Sequence, residues 1–354
     1  MVRLGAKRRE QEMPACGKPV MTIARNLITD VAGLSVGHAE DRVLASGVTA
    51  ILIEQPNVAA VSVRGGAPGG RDTGLLAPEM TVPGVDAVVL SGGSAFGLDA
   101  AGGVMAHLRE AGVGFAVGSV VVPIVVQAIV FDLLNGGDKS WGSKPPYWDL
   151  GLRAARAAGR GAFALGTAGG GFGATTATLK GGIGSASAAT IGGVTVGAIA
   201  VVNAIGSATI GDGPHFWAAP VEEGAEFGGL GSPPRLSSSD KALRIKGGGP
   251  PATTIALVAT DATLTKPEAQ RLAIMADDGL ARALRPAHAP MDGDTVFAVA
   301  TQRRPLPPGP AALTGLGLAA ADCLARACAR AVYEASALPF AGALPAWRDR
   351  FRAP

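Results

Sequence analysis

The sequence predicts an α+β fold, antiparallel sheets covered by helices, and three observations predict it. Short apolar runs separated by glycine-rich turns fill the first half, and a long stretch of β-type alternation without helical period follows at 160–212. The chain then closes with strand, helix, strand, helix; taken whole, runs of strands punctuated by segregated helices argue for α+β over strict βαβ alternation. With 354 residues, 48% of them hydrophobic, it can bury a core large enough for one big domain or two intimately packed ones. The 52 glycines and 25 prolines have no collagen-like period and sit between apolar runs, implying many tight turns and close backbone approaches.

Taken in order, residues 1–25 carry Arg3, Lys7, Arg8, Arg9, Lys18 and Arg25 against only Glu10 and Glu12. They lack the apolar h-region of a secretory signal and read as a disordered basic extension, or as a start placed ahead of Met21. "GVTAILIE" (47–54), "VAAVSV" (58–63) and "VDAVVL" (85–90) read as strands. "SGGSAFGLDAAGGVMAHLREAG" (91–112) is a Gly-Gly turn running into apolar positions of 3.6 period, hence strand, turn, helix. The longest candidate for a membrane span, around 113–134, contains Pro123 and breaks into two strand-like pieces, so no membrane span is expected. "YWDLGLRAARAA" (147–158) is a second short helix, and 160–212 alternates as strand. Residues 213–250, with "VEEGAEF" and "RLSSSDKALRIKGGGPP", have the composition of a long exposed loop. Strand 253–260, helix 266–285, strand 294–301 and helix 310–335 follow. The first of these helices is bounded by the capping-box spacing of Thr265 and Glu268 and by Pro286.

Several chemistries are excluded. A net charge of +3, 5% aromatic residues and no Lys/Arg stripe give no nucleic-acid surface. Three cysteines make no disulfide framework; Cys323 and Cys328 read as small core residues of an Ala-rich helix, fitting a reducing, cytoplasmic setting. The four histidines, His38, His107, His215 and His288, pair with no ligand at metal spacing, so neither a metal nor a cofactor is expected. His38 and His288 read as turn or surface residues. "GTAGGGFGATT" (166–176) lacks the following helix that a phosphate-binding turn needs, and "SGGSAFG" (91–97) fails the spacing of a nucleophile elbow.

"GGGPPATTIALVATDA" (247–262) places Thr253 where a Gly/Pro coil meets a clean apolar run. A β-branched residue there is ordinary for a strand start. Cutting Ala252–Thr253, however, would give Thr253 a free α-amine with an unperturbed pKa of about 7.7–8.0, a general base beside its own hydroxyl. Such a nucleophile needs no histidine.

At this point the chain resembles the P1 (S58) peptidases, the group of L-aminopeptidase/D-esterase, β-aminopeptidases and nylon-oligomer hydrolase. The resemblance rests on "ATTIALVATDATLTKPEAQRLAIMADDGLARALRP" with "MDGDTVFAVAT" (291–301), and on further blocks in family order. These are "ITDVAGLSVGHAED" (28–41), "VRGGAPGGRDTGLL" (63–76), "LSGGSAFGLDAAGGV" (90–104), "IVFDLLNGG" (129–137), "LKGGIGSAS" (179–187) and "VVNAIGSATI" (201–210). It implies a four-layer αββα sandwich like that of N-terminal nucleophile hydrolases. It also implies self-cleavage at Ala252–Thr253 into an α chain (26–252) and a β chain (253–354) that stay together, in a homotetramer acting on small peptides or amides.

Residue by residue, the resemblance makes Thr253 the nucleophile and Asn203 the stabiliser of the oxyanion, for which an amide donor is suited. It makes Lys180 a cation near the nucleophile, and Asp292 and Asp294 an acidic pair that orients and polarises Thr253. Their i,i+2 spacing on a strand would place both on one face. Phe131 matches a substrate-side aromatic. Against these stand plain alternatives: Asn203 and Asp292-Gly293 as turn residues, Lys180 as a solvated charge, Phe131 as core. Ala252 departs from the Asn or Gly expected before the cut. Two rival activities stay open: a nylon-type amidase of 6-aminohexanoate oligomers, and a non-catalytic, self-processing binding protein.

Overall fold

The computed structural model describes residues 25–190, 193–247 and 251–351; Cys16 and nearly all of the basic extension lie outside them. In chain order the elements are β1 (Leu34–Asp41), β2 (Ser46–Ile53), β3 (Val58–Val63), β4 (Gly70–Arg71), β5 (Ala87–Ser91) and α1 (Ala100–Glu110). Then come β6 (Phe115–Val117), β7 (Val120–Val122), β8 (Val125–Ile129), α2 (Tyr147–Arg156), β9 (Gly182–Ala189) and β10 (Thr195–Asn203). The last are β11 (Thr253–Thr263), α3 (Lys266–Ala283), β12 (Thr295–Pro305), α4 (Pro310–Tyr333) and α5 (Trp347–Phe351).

Two five-stranded sheets, ordered β1-β2-β5-β8-β4 and β3-β12-β11-β10-β9, stack face to face. Alternation along the central strands builds three apolar layers from one sequence pattern. In β11, Ile255, Leu257 and Ala259 enter the layer between the sheets with Val88, Leu90, Ile199, Val201 and Phe297. Their neighbours Ala256 and Val258 face the other way, into a layer with Leu272, Leu280 and Leu324 of α3 and α4. On the far side Val48, Ala50 and Val89 meet Val104 of α1 and Leu150 of α2. The result is an αββα sandwich, the four layers expected.

Small residues set how closely the layers approach. A Cβ on Gly184 of β9 would stand 2.0 Å from the Ala327 carbonyl oxygen of α4, so only glycine lets this helix rest on the sheet. By length and mean hydropathy α4 is apolar enough to cross a membrane, a property that the sequence reading did not single out. Here Ala320, Leu324, Cys328 and Ala331 pack it against the second sheet and α3 as a core helix. Helix α3 starts where expected, with both capping-box bonds of Thr265 and Glu268 formed, and Leu284 is already extended ahead of Pro286.

The structure corrects four expectations. Each sheet contains a parallel pair, β5 with β8 and β11 with β12, so neither is purely antiparallel. Residues 160–181 and 204–212 form turns and isolated bridges, because glycine-rich segments wrap the strand ends there. The expected loop at 213–250 is, over its described residues 213–247, anchored and not simply exposed: Phe216 and Phe227 are buried and Phe216 stacks on Trp347. His38 is a strand residue of β1, its Nδ1 2.9 Å from Thr49 Oγ1 and its ring edge-on to Phe163.

Candidate active site

The second sheet's register assembles the candidate site. Antiparallel pairing of β10 with β11 sets Asn203 opposite Thr253. Parallel pairing of β11 with β12 continues as a bridge between Ala252 and Asp292. The peptide bond between Ala252 and Thr253 therefore sits at the end of the two central strands, and both residues are buried.

Its carbonyl is gripped. The Gly293 N–H donates to Ala252 O at 3.0 Å and also faces Thr253 Oγ1 at 3.2 Å. The Thr253 hydroxyl in turn donates to Ala252 O. Gly293 is required on steric grounds, since a Cβ there would stand 2.8 Å from both Thr253 Oγ1 and Ala67 O. The 64–67 turn supports this segment from behind: Arg64 N donates to Asp294 O (3.1 Å) and Ala67 N to Asp292 O (2.8 Å).

The two aspartates lie in the turn before β12, not on the strand, and they do different things. Asp294 Oδ1 accepts from Thr254 N at 2.7 Å and Oδ2 from His288 N at 2.9 Å. Asp292 accepts from Ala289 N (3.0 Å) and Ile205 N (3.3 Å). Burial, with the charge of Asp294 beside it, pushes the Asp292 carboxyl up to about 6.

Asn203 faces Thr253 across the ladder, with its side chain otherwise engaged. Nδ2 donates to Phe131 O at 2.9 Å, while Oδ1 accepts from Thr175 N (3.0 Å) and Lys246 Nζ (3.1 Å). Two donors at one end and a carbonyl at the other fix the amide's orientation. Lys180 is buried, and its ammonium donates to the carbonyls of Gly171 (3.1 Å), Ala174 (2.8 Å) and Gly181 (2.9 Å). The cation that reaches Asn203 is Lys246. Burial lowers both amines to about 7.

A cavity of about 330 Å³ adjoins the bond on the Ala252 side, walled by Phe131, Leu134, Thr175, Lys246, Pro251 and Leu344. Phe131 thus lines the cavity and offers its carbonyl to Asn203. Asp132, which also lines the cavity, accepts from Ser46 Oγ (2.7 Å) and Gly93 N (2.8 Å). Among the described residues no group of three or more His, Cys, Asp and Glu side chains is arranged to hold a metal ion.

Sequence reasoning singled out Thr253, Asn203, Lys180, Asp292, Asp294 and Phe131, and missed Lys246, Gly293 and His288. Gly293 was legible in principle, as the glycine inside "DGD". His288 is in a turn as expected, but half-buried, with its ring on Asp294. Lys246 lay hidden in a segment whose composition reads as exposed.

Residues 26–343 match peptidase family S58. An uncharacterized aminopeptidase of Mycobacterium tuberculosis is 45% identical, the match covering 92% of this chain and 98% of that one. A 6-aminohexanoate-oligomer endohydrolase of an Agromyces species is 26% identical over 84% of this chain and 81% of its own. In three dimensions the chain is similar to the L-aminopeptidase D-Ala-esterase/amidase of Ochrobactrum anthropi, described as a variant of the Ntn-hydrolase fold. The TM-score is 0.68, with 23% identity and 94% of each chain covered.

Proposed function

The chain belongs to peptidase family S58, and from that premise we propose that it is a self-processing amide hydrolase of aminopeptidase type whose nucleophile is Thr253. The observation that carries this reading is the buried Ala252–Thr253 peptide, with the Thr253 hydroxyl against its own preceding carbonyl and the Gly293 N–H on that carbonyl oxygen.

In the uncut chain the nitrogen of Thr253 is an amide and cannot act as a base. A neighbouring group must take the hydroxyl proton first, and Asp292 and Lys246 titrate near neutrality. Oγ1 then bonds to the Ala252 carbonyl carbon, and the Gly293 N–H stabilises the oxyanion. The C–N bond breaks, and the proton is delivered to the freed amine. Water hydrolyses the resulting ester, leaving a carboxylate at Ala252 and an α-amine on Thr253. That amine, with an ordinary pKa of about 7.7–8.0, serves as base in each later turnover. Asn203 Nδ2 supplies the oxyanion donor once a substrate carbonyl replaces Phe131 O, and Asp294 holds the backbone through Thr254 N.

A cut after Ala252, which has no amide side chain, is supported by the backbone's hold on its carbonyl. The substrate's acyl group occupies the position of Ala252, next to the cavity. The apolar wall of that cavity, Phe131, Leu134, Pro251 and Leu344, favours a second reading in which longer acyl groups such as 6-aminohexanoate oligomers are accepted.

The test is mass spectrometry of the purified chain and of Thr253→Ala, followed by turnover of L-, D- and β-aminoacyl amides and 6-aminohexanoate oligomers. The expected products are residues 1–252 and residues 253–354, with the variant uncut and inactive. A fully active, unbroken polypeptide overturns the reading.

A further inference from the structure

His288 is the most connected titratable group near Thr253 that the mechanism above does not use. It sits between α3 and β12 with a left-handed φ of +58°. Its backbone N and its Nδ1 both lie 2.9 Å from Asp294 Oδ2. The other oxygen of Asp294 holds Thr254 N, the amide that follows the nucleophile. On the far side of the ring, Nε2 is 3.7 Å from Asp277 Oδ1, a buried atom with no hydrogen-bond partner. The second oxygen of Asp277 accepts from Ser62 Oγ at 2.7 Å and lies 3.4 Å from Arg64 Nε.

A neutral imidazole has one N–H. If Nδ1 donates it to Asp294, Nε2 turns a lone pair toward the Asp277 carboxylate; only the imidazolium turns an N–H to both, donating to Asp294 and pairing by charge with Asp277 at 3.7 Å. We propose that His288 is a positioning residue, an imidazolium that bridges Asp294 and Asp277 and thereby fixes the Thr253–Thr254 peptide for attack. The groups facing the ring are Asp294 from the β12 side, Asp277 from α3 and Asp292 from the turn, with Arg64 acting on it through Asp277. Their net negative charge agrees with the direction in which the ring's pKa moves: upward, chiefly through the hydrogen bond to Asp294. A group whose folded value is raised contributes stability that is complete below about 6.5 and is lost as pH rises through the folded value. The bridge therefore weakens on the alkaline side.

Two measurements test this, and the second rests on the proposed hydrolase activity. The first is an NMR titration of the imidazoles in full-length Thr253→Ala, with His288 assigned by its absence in His288→Asn. The expected result is a His288 pKa above the ordinary value that falls when Asp277→Asn is added; a value at or below the ordinary one, or one unmoved by Asp277→Asn, overturns the bridge. The second compares pH–rate profiles of self-cleavage and amide turnover for the native chain and His288→Asn. Asparagine tolerates the left-handed backbone and keeps a donor that does not titrate. The native rate is expected to fall through the His288 titration. In His288→Asn that limb disappears, with kcat lowered about tenfold and KM nearly unchanged. A limb that survives in the variant overturns the proposal. A native chain that neither cleaves nor turns over substrate overturns the hydrolase reading instead, and the titration alone then judges the bridge.

Discussion

Lys180 and Lys246 are two lysines pushed to the same value, about 7, by the same cause, burial, in two neighbouring regions. Their surroundings differ entirely. Lys180 precedes β9 in a nest of three backbone carbonyls, one for each ammonium hydrogen, so its bonding capacity is spent on folding the 171–181 segment. Lys246 is pinned by its own N–H to Ile205 O at 2.9 Å, spends its ammonium on the Asn203 side chain and carbonyl oxygen, and forms part of the cavity wall. A displaced pKa thus accompanies two different bonding patterns, and the hydrogen-bond partners separate the two.

The strongest way to break this comparison is Lys180→Met. It leaves three buried carbonyls without their charged donor, and unfolding stability should drop by about 3 kcal/mol or more. Urea denaturation of the uncut Thr253→Ala chain measures it without interference from cleavage. If stability holds and self-cleavage stops instead, Lys180 is a chemical group and the distinction fails.

Much of what surrounds the two lysines was legible in the sequence. The 58–63 strand, the capping box at Thr265 and the strand starting at Thr253 depend on local patterns that near neighbours determine. The parallel pairing of β11 with β12 does not, because nothing within either strand states which neighbour it takes. Phe216 and Phe227 belong to no periodic apolar pattern, so the packing of Phe216 between Phe227 and Trp347 emerges only when distant elements meet. The same holds in the site. Thr253, Asn203 and the aspartates stand in recognisable blocks, but the partners of Asn203 are a carbonyl 72 positions away and a lysine 43 positions away. His288 has the spacing of a turn residue; its role depends on Asp277 from α3, which only packing brings to it.

A sharper test of the comparison is Lys246→Met, which keeps the chain length and removes the charge. Thr175 N still holds Asn203 Oδ1, so the amide stays roughly in place while its cationic partner is lost. Self-cleavage should slow about tenfold, equivalent to about 1.4 kcal/mol in the barrier. Stability should change by no more than about 1 kcal/mol, the usual net worth of a hydrogen bond. Timed electrophoresis of freshly expressed chain gives the first quantity and urea denaturation the second. A large loss of stability at an unchanged cleavage rate would make Lys246 a clamp like Lys180.

The smallest effect should come from Phe131→Leu, because the Asn203 donor goes to the Phe131 backbone carbonyl and not to its ring. Leucine keeps that carbonyl and alters only the cavity wall. The expected outcome is an unchanged rate of self-cleavage and an unchanged kcat, with KM for an aminoacyl amide rising by roughly two- to tenfold, the scale of a partly lost apolar contact. A steady-state comparison on mature protein measures this. If kcat falls with KM unmoved, the ring itself governs where Asn203 points, and the cavity that Phe131 shares with Lys246 is part of the oxyanion machinery rather than a site for the acyl group.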